Sequence, residues 1–479
     1  MSQFEPAVGQ TRSLAERLDS LYEFDREPVR QEALLGWRKF AAMFAGEHIA
    51  ATEFVIGALF VIHGVSARDL VLGLLIGDIL AVLSYGLVCA PIATRTRLTL
   101  YWYFRKIGGP ALSVLYNTAN AILFCIVAGA MISVSATSVG MAFSVKIPTL
   151  NDLYPNSVGW VVVTLCVGMV VTIVAILGFE KISEFSQVCS PWLAAVFFAG
   201  ALALLPTFGK VDTLKDLWES ATTRIWTGVP TLGQSKYTLR HIVFFAWFCN
   251  LSLHVGLSDM ALLRYAKKWT YGFWSATGMF VGHFLAWICS GVMVAAVGRE
   301  MNPGRMAFTA AGFAGAMAVV IAGWTSSNPN LYRAGLAFQT ITPNWKRWKV
   351  TLAAGLITSF LACFPLFFMH LLDFVALYGL ILMPVGAIVF AEHWIFPQLN
   401  WTSSWAEKHK LFLNWPALLS WTVSLAVAFL LPVHLFIKGL PGYLIALIAY
   451  LGFSYLWGAA ADAPPPKASL NEPLANGGD

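Results

Sequence analysis

Charge is scarce in this chain. Asp, Glu, Lys and Arg make up 12% of its 479 residues, whereas 58% are hydrophobic and 14% aromatic, and the mean hydropathy is +0.68. A soluble domain carries about twice that share of charge, so a soluble enzyme is excluded and nucleic acid is not an expected partner. Polar stretches long enough for a separate soluble domain are missing as well. None of the seven cysteines (Cys89, Cys125, Cys166, Cys189, Cys249, Cys289, Cys363) belongs to a CxxC or CxxH pair, and all fall in apolar stretches, where they read as buried free thiols. No GxxxxGK loop occurs, which removes ATP drive within the chain. Histidines spaced four apart with a third ligand are lacking too, which counts against a metal site. The first 36 residues have no apolar core of the signal-peptide kind and read as a cytoplasmic N-terminal tail.

What the chain does have is a series of apolar runs. A membrane span needs about 20 mostly apolar residues, and about twelve segments qualify, near 39–63, 68–91, 111–140, 158–178, 186–207, 240–259, 272–298, 308–337, 350–369, 371–395, 412–435 and 440–460. The chain is therefore an all-α polytopic membrane protein. Residues 37–395 form a core of ten spans, residues 396–460 add spans 11 and 12, and residues 461–479 form a disordered C-terminal tail. Spans 3 and 8 are long enough to require a tilt, a break or a protruding end. If twelve spans alternate, Arg38/Lys39, Arg95/Arg97/Arg105/Lys106, Arg264/Lys267/Lys268, Lys346/Arg347/Lys349 and Lys408/Lys410 share one side. Basic loops mark the cytoplasm, which puts both termini inside and the mixed-charge loop 208–239 outside a cell (inner) membrane.

Three segments break the apolar pattern. Span 8 carries Trp324-Thr325-Ser326-Ser327-Asn328-Pro329-Asn330-Leu331-Tyr332, whose hydroxyls and amides lipid cannot satisfy. Span 1 has Ala45-Gly46-Glu47-His48, and span 6 has Asn250-Leu251-Ser252-Leu253-His254-Val255-Gly256. The last two correspond if spans 1–5 and 6–10 are inverted halves, and paired broken helices point to a transport site at the bilayer midplane.

Several motifs carry a resemblance. Thr94-Arg95-Thr96-Arg97-Leu98-Thr99 with Arg105 and Gly108-Gly109 follows span 2; Asp259 with Arg264-Tyr265-Ala266 follows span 6. Trp324-Thr325, Leu331-Tyr332, Gly335-Leu336, Phe338 and Ile341-Thr342 lie along span 8, and Pro384-Val385-Gly386 with Ala391-Glu392 along span 10. In these the chain resembles the nucleobase:cation symporter-1 family, in its cytosine and purine permease branch. The resemblance implies a leucine-transporter-type architecture of five plus five inverted spans and two extra, with spans 1 and 6 broken. It also implies sodium- or proton-coupled uptake of a small nitrogenous ring compound bound between spans 1, 3, 6, 8 and 10, with no other cofactor. Span 3 departs from the family pattern, with Asn117, Asn120 and Phe124 in place of a Gly-Trp pair and a glutamine, and span 8 has Ser327 and Pro329 where asparagines are usual. Substrate is thus expected by class only: cytosine, a purine, hydantoin or allantoin.

A flat polar ring is held by aromatic faces and by groups that read its edge. Trp247, Phe248 and Phe124 are the stacking candidates, and Asn120, Asn250, Asn328 and Asn330 the edge readers, since one amide offers both donors and an acceptor. For a cation, backbone oxygens near Ala45 and His48 with the hydroxyls of Ser326 and Ser327 would supply hard ligands. Glu47 and Glu53 are acids inside a span, so each could carry a proton, and Glu47 could instead pair with ring N–H groups or a cationic substrate. Asp259 with Arg264 reads as an ion pair that closes the inner gate. Two other classes stay open: a membrane-embedded metal enzyme converging on His254, Asp259 and Glu47, and a channel, although no repeated filter sequence is present. The expected partners are the lipid bilayer and the substrate; a single chain can carry the whole site, and its oligomeric state is not fixed by the sequence.

Overall fold

The computed structural model describes residues 18, 19, 21, 23–148, 152–249, 251–298, 303–342, 344–366 and 371–459. Helices run along almost all of it, and no strand forms among the described residues. In chain order the main ones are α1 (Trp37–His48), α2 (Glu53–Ile62), α3 (Ala67–Ser84), α4 (Leu100–Ala142), α5 (Val158–Leu177), α6 (Phe179–Leu204) and α7 (Leu239–Phe248). They continue with α8 (Leu251–His254), α9 (Tyr271–Ala296), α10 (Pro303–Gln339), α11 (Arg347–Ala362), α12 (Leu371–Phe390), α13 (Trp415–Leu430) and α14 (Gly439–Leu456). Eight of the described helices are long and apolar enough to cross a membrane, or nine with α1 and α2 taken as one span. Helices α7, α11 and α13, at the positions of the other three expected spans, are shorter.

Both predicted breaks are present. Helices α1 and α2 meet at a 50° bend over Ile49–Thr52, and α7 ends at Phe248 before the four-residue α8. Packing follows the symmetry of inverted halves: α1 and α2 lie along α9, whereas α7 lies along α3. The long spans break near one end. At Gly109 the backbone enters the left-handed region (φ 81°), and a Cβ there would sit 2.8 Å from the Phe412 carbonyl oxygen, so only glycine lets α4 turn against the chain around Phe412. In α10 the break falls at Ala311 and Gly312.

The basic loops gather at one end of the bundle. Val29 N–H donates to the Arg97 carbonyl, Lys267 N–H to that of Leu35, the Arg26 guanidinium to those of Gln339 and Thr342, and Lys106 pairs with Glu407 at 3.0 Å. Residues 23–36, within the expected N-terminal tail, are packed against that end, with Val29 and Leu34 in the core. The opposite end carries the loop 208–239, tied to the first interhelical turn by Thr231 N–H to the Ile62 carbonyl and by Tyr237 N–H to that of His63. Helices α13 and α14 pack on each other and on α12. The predicted C-terminal tail, 461–479, lies outside the described residues. The cysteine expectation is corrected at three positions: Cys166 is on the bundle's outer surface, because α5 is an outer helix that leaves one face to lipid, and Cys189 and Cys249 are only partly buried.

Apolar chains gain nothing by leaving lipid for each other, so helix contacts rest on close backbone approach at small residues. Gly386 on α12 is such a point: a Cβ there would come within 2.0 Å of the Val255 carbonyl oxygen beside the span 6 break. Gly386→Ala is expected to cost about 1–3 kcal/mol by overpacking. The check is a lower melting temperature of the detergent-purified protein than for Gly452→Ala, where a Cβ meets nothing within 4 Å.

Candidate functional site

The centre of the bundle is organised by a residue absent from the sequence-based candidates. Arg333 lies on α10 one helical turn past Pro329 and is fully buried. Its Nη1 and Nη2 hold Glu47 Oε1 and Oε2 at 2.6 and 3.0 Å, and its Nε reaches Asp259 Oδ1 at 2.9 Å. Glu47 is in the last turn of α1, and Asp259 follows the span 6 break. One guanidinium therefore ties both broken spans to span 8. Arginine suits this because its planar fork donates five N–H groups and meets a carboxylate with two at once. The Phe124 ring lies 5.7 Å from the Arg333 guanidinium carbon, in cation–π range.

Beside this triad is a cavity with about 70 Å³ in which a water-sized sphere can be centred, bounded by the bend in span 1 and by spans 3, 6, 7, 8 and 10. Its aromatic walls are Phe124, Phe245, Trp287 and Tyr378; its polar walls include Glu47, His48, Thr52, Glu53, His283, Ser326 and Asn330. Phe124 and Tyr378 meet edge to face at 5.2 Å. The bend brings Glu47, His48 and Glu53 to one wall, although five residues of chain lie between the two acids.

Of the residues singled out from sequence, Glu47, His48, Glu53, Phe124, Ser326 and Asn330 line this cavity. Trp247 and Phe248 do not. They stack on each other at 4.3 Å, Trp247 Nε1 donates to Ser84 Oγ at 2.9 Å, and Phe248 borders a smaller apolar cavity. The span 6 ring on the cavity wall is Phe245, three residues earlier. Asn120 Nδ2 donates to Ser258 Oγ at 3.4 Å and so joins span 3 to the chain past span 6. Asn328 is buried away from the cavity with neither amide atom partnered among the described residues, and Asn250 lies outside them. Three of the four proposed cation ligands take part in hydrogen bonds within the bundle. Ser326 Oγ donates to the Ala322 carbonyl at 2.6 Å, Ser327 Oγ to that of Ala128 at 3.2 Å, and the Ala45 carbonyl accepts from Ile49 N–H at 2.9 Å.

The expected Asp259–Arg264 ion pair is also corrected. Asp259 is taken by Arg333, and Arg264 instead donates to the carbonyls of Glu23 and Phe24. The Glu23 carboxylate in turn accepts from Tyr265 Oη at 2.6 Å and Tyr332 Oη at 2.8 Å, so the chain before α1 straps the ends of spans 6 and 8. The sequence carried a signal for Arg333, a charged residue inside span 8, but only the fold shows that it faces two acids rather than solvent. Among the described residues no three His, Cys, Asp or Glu side chains are grouped to hold a metal ion.

No protein-family model and no curated protein matches the sequence. Solved structures do match. Mhp1, described as a nucleobase-cation-symport-1 family transporter, in a closed conformation with bromovinylhydantoin bound, superposes with a TM-score of 0.70 at 16% identity, over 92% of this chain and 96% of that one. The chain has the fold of Mhp1. The inward-facing conformation of Mhp1 gives 0.67 at 15% identity, over 94% and 96% of the two chains. A Na+-coupled sialic acid symporter in a substrate-bound outward-open state gives 0.65 at 13% identity, over 92% and 93%. At these identities what is shared is the architecture, which bears out the expected leucine-transporter-type arrangement.

Removing one partner of a buried charge network leaves the others uncompensated at about 3–5 kcal/mol. Arg333→Met is therefore expected to lower the melting temperature sharply, and adding Glu47→Gln and Asp259→Asn to it to restore much of the loss. Thermal unfolding of the four single and combined variants in one detergent checks both directions.

Proposed function

We propose that this protein is a secondary active, cation-coupled symporter of a small nitrogenous ring compound, of the class of cytosine, purines, hydantoins and allantoin. The observation that carries this reading is the cavity at the bend of span 1, with four aromatic walls and a few polar groups, Asn330 and Ser326 among them, at the junction of both broken spans. Few solutes other than a flat polar ring use such a wall well: its faces are covered by aromatic side chains, and its edge meets amide, hydroxyl and carboxylate. The symporters among the structural neighbours, one with a hydantoin derivative bound and one coupled to sodium, support the same class.

In this reading Phe124 stacks on the substrate and Asn330 reads its edge. Glu47 acts through the triad: closing the bundle around substrate aligns spans 1, 6 and 8 on Arg333, and opening requires at least one carboxylate to leave it. The strap from Glu23 to Arg264, Tyr265 and Tyr332 closes the end that bears the basic loops, which we assign to the cytoplasm together with both termini. A second reading, transport of a cationic nitrogen compound, is favoured by Glu53, an acid on the cavity wall whose bonds come from Trp287 and Thr52.

The test is uptake of radiolabelled cytosine, uracil, adenine, hypoxanthine and allantoin into proteoliposomes, each with an inward sodium gradient, an inward proton gradient or neither. Saturable accumulation of one label under one gradient is expected, and failure of every label moves the substrate to the cationic class. Loss of a stacking partner is worth about 1 kcal/mol, so Phe124→Ala should raise the apparent KM for that label about five-fold.

A further inference from the structure

Two more carboxylates are buried near the cavity, and among the described residues no lysine or arginine pairs with either. Glu53, the first residue of α2, accepts from Trp287 Nε1 and, at 3.2 Å, from Thr52 Oγ1. Asp78, midway along α3, is fully buried; its Oδ1 is 3.4 Å from His283 Nδ1, and its Oδ2 has no hydrogen-bond partner among the described residues. His283 and Trp287 are one turn apart on α9 and stack at 4.2 Å, so the two acids are held through one pair of stacked rings. His48 meets His283 edge to face at 4.7 Å, borders the cavity, and has a buried Nε2 without a partner among the described residues. A line of groups able to pass a proton thus runs from the cavity wall to Asp78.

The charges do not balance without an added cation. Arg333 offsets one of the two charges of Glu47 and Asp259, and Glu53 and Asp78 bring two more into a region lipid cannot solvate. A sodium ion would need about five or six hard oxygens. Among the described residues, what meets their carboxylate oxygens is an indole N–H, a ring nitrogen and one hydroxyl, a set suited to a proton. The other titratable or charged groups facing the cluster are His48 from α1, His254 from α8, and the Glu47–Arg333–Asp259 triad across the cavity.

We propose that Glu53, Asp78 and His283, reached from the cavity past His48, form a proton-loading site that couples transport to a proton gradient. The proton enters from water in the cavity, rests on a carboxylate oxygen and leaves by the same groups when the site faces the other side. Loading turns a carboxylate that only accepts into a carboxyl that also donates, so the hold of α9 on α2 and α3 changes with load. This inference rests on the proposed symport, and it deepens that reading by naming the ion.

Two measurements keep the readings apart. The first needs no substrate: infrared difference spectra of the full-length protein in lipid, recorded against pH. A carboxylic-acid carbonyl band that titrates is expected, with one component lost in Asp78→Asn and another in Glu53→Gln. His283→Gln, which keeps the ring site polar, should shift the Asp78 component without removing it. No such band, or a band unaltered in all three variants, overturns the site. The second uses the label accumulated in the uptake screen: the ratio of proton-driven accumulation to exchange across an equilibrated membrane should fall about ten-fold in Asp78→Asn, within the usual range of coupling between sites. An unchanged ratio, or accumulation driven by sodium alone, overturns the coupling. If no label accumulates, the ring-compound reading fails and the substrate moves to the cationic class, while the infrared bands still decide the proton site.

Discussion

The guanidinium of Arg333 is the point on which the centre of this bundle depends. Burying an arginine among membrane helices is costly, and the cost is met here by two carboxylates that come from different broken spans. Neither Glu47 nor Asp259 could lie where it does without that partner. Because each arm of the contact crosses from span 8 to a helix interrupted at midplane, the ion network and the breaks are parts of one arrangement. A helix that stops inside the bundle leaves backbone groups and short segments that can reorient, and a shared charge fixes which orientation is held.

The cavity follows from the same geometry. The bend over Ile49–Thr52 turns one wall of span 1 inward at Glu47, His48 and Glu53, while α4, α7, α9 and α12 supply an aromatic ring each. Polarity concentrates on span 1 and span 8, with His283 on α9, and the aromatic faces on the helices opposite, which gives a site with an apolar body and a polar edge. At the end with the basic loops, the chain before α1 is drawn under spans 6 and 8 by Glu23 and Phe24, and Arg264 serves that strap.

Much of the fold was legible because a bilayer imposes long apolar runs with charges confined to the loops between them. The breaks in spans 1 and 6 stood out as glycine, histidine and acid inside apolar sequence, and Glu47, His48, Glu53, Ser326 and Asn330 were found as cavity residues because they interrupt apolar runs, with Phe124 found as a candidate stacking ring. Trp247 and Phe248 were misplaced because a short helix that ends at its break can be rotated by a residue or two, and nothing local sets that rotation. Trp287 and Tyr378 were missed since an aromatic residue in an apolar helix looks alike whether it faces lipid, a neighbour or a cavity.

By itself the sequence determined that the chain is a helical membrane protein with two interrupted spans, since hydropathy and the cost of unsatisfied polar groups in lipid act on each segment separately. Only the tertiary structure decided the pairings. Arg333 rather than Arg264 meets Asp259, and Asp78 meets His283 across 205 residues of chain. A charged residue's partner depends on helix rotation and on which spans are neighbours. Those are properties of the packed bundle, and no single span carries them.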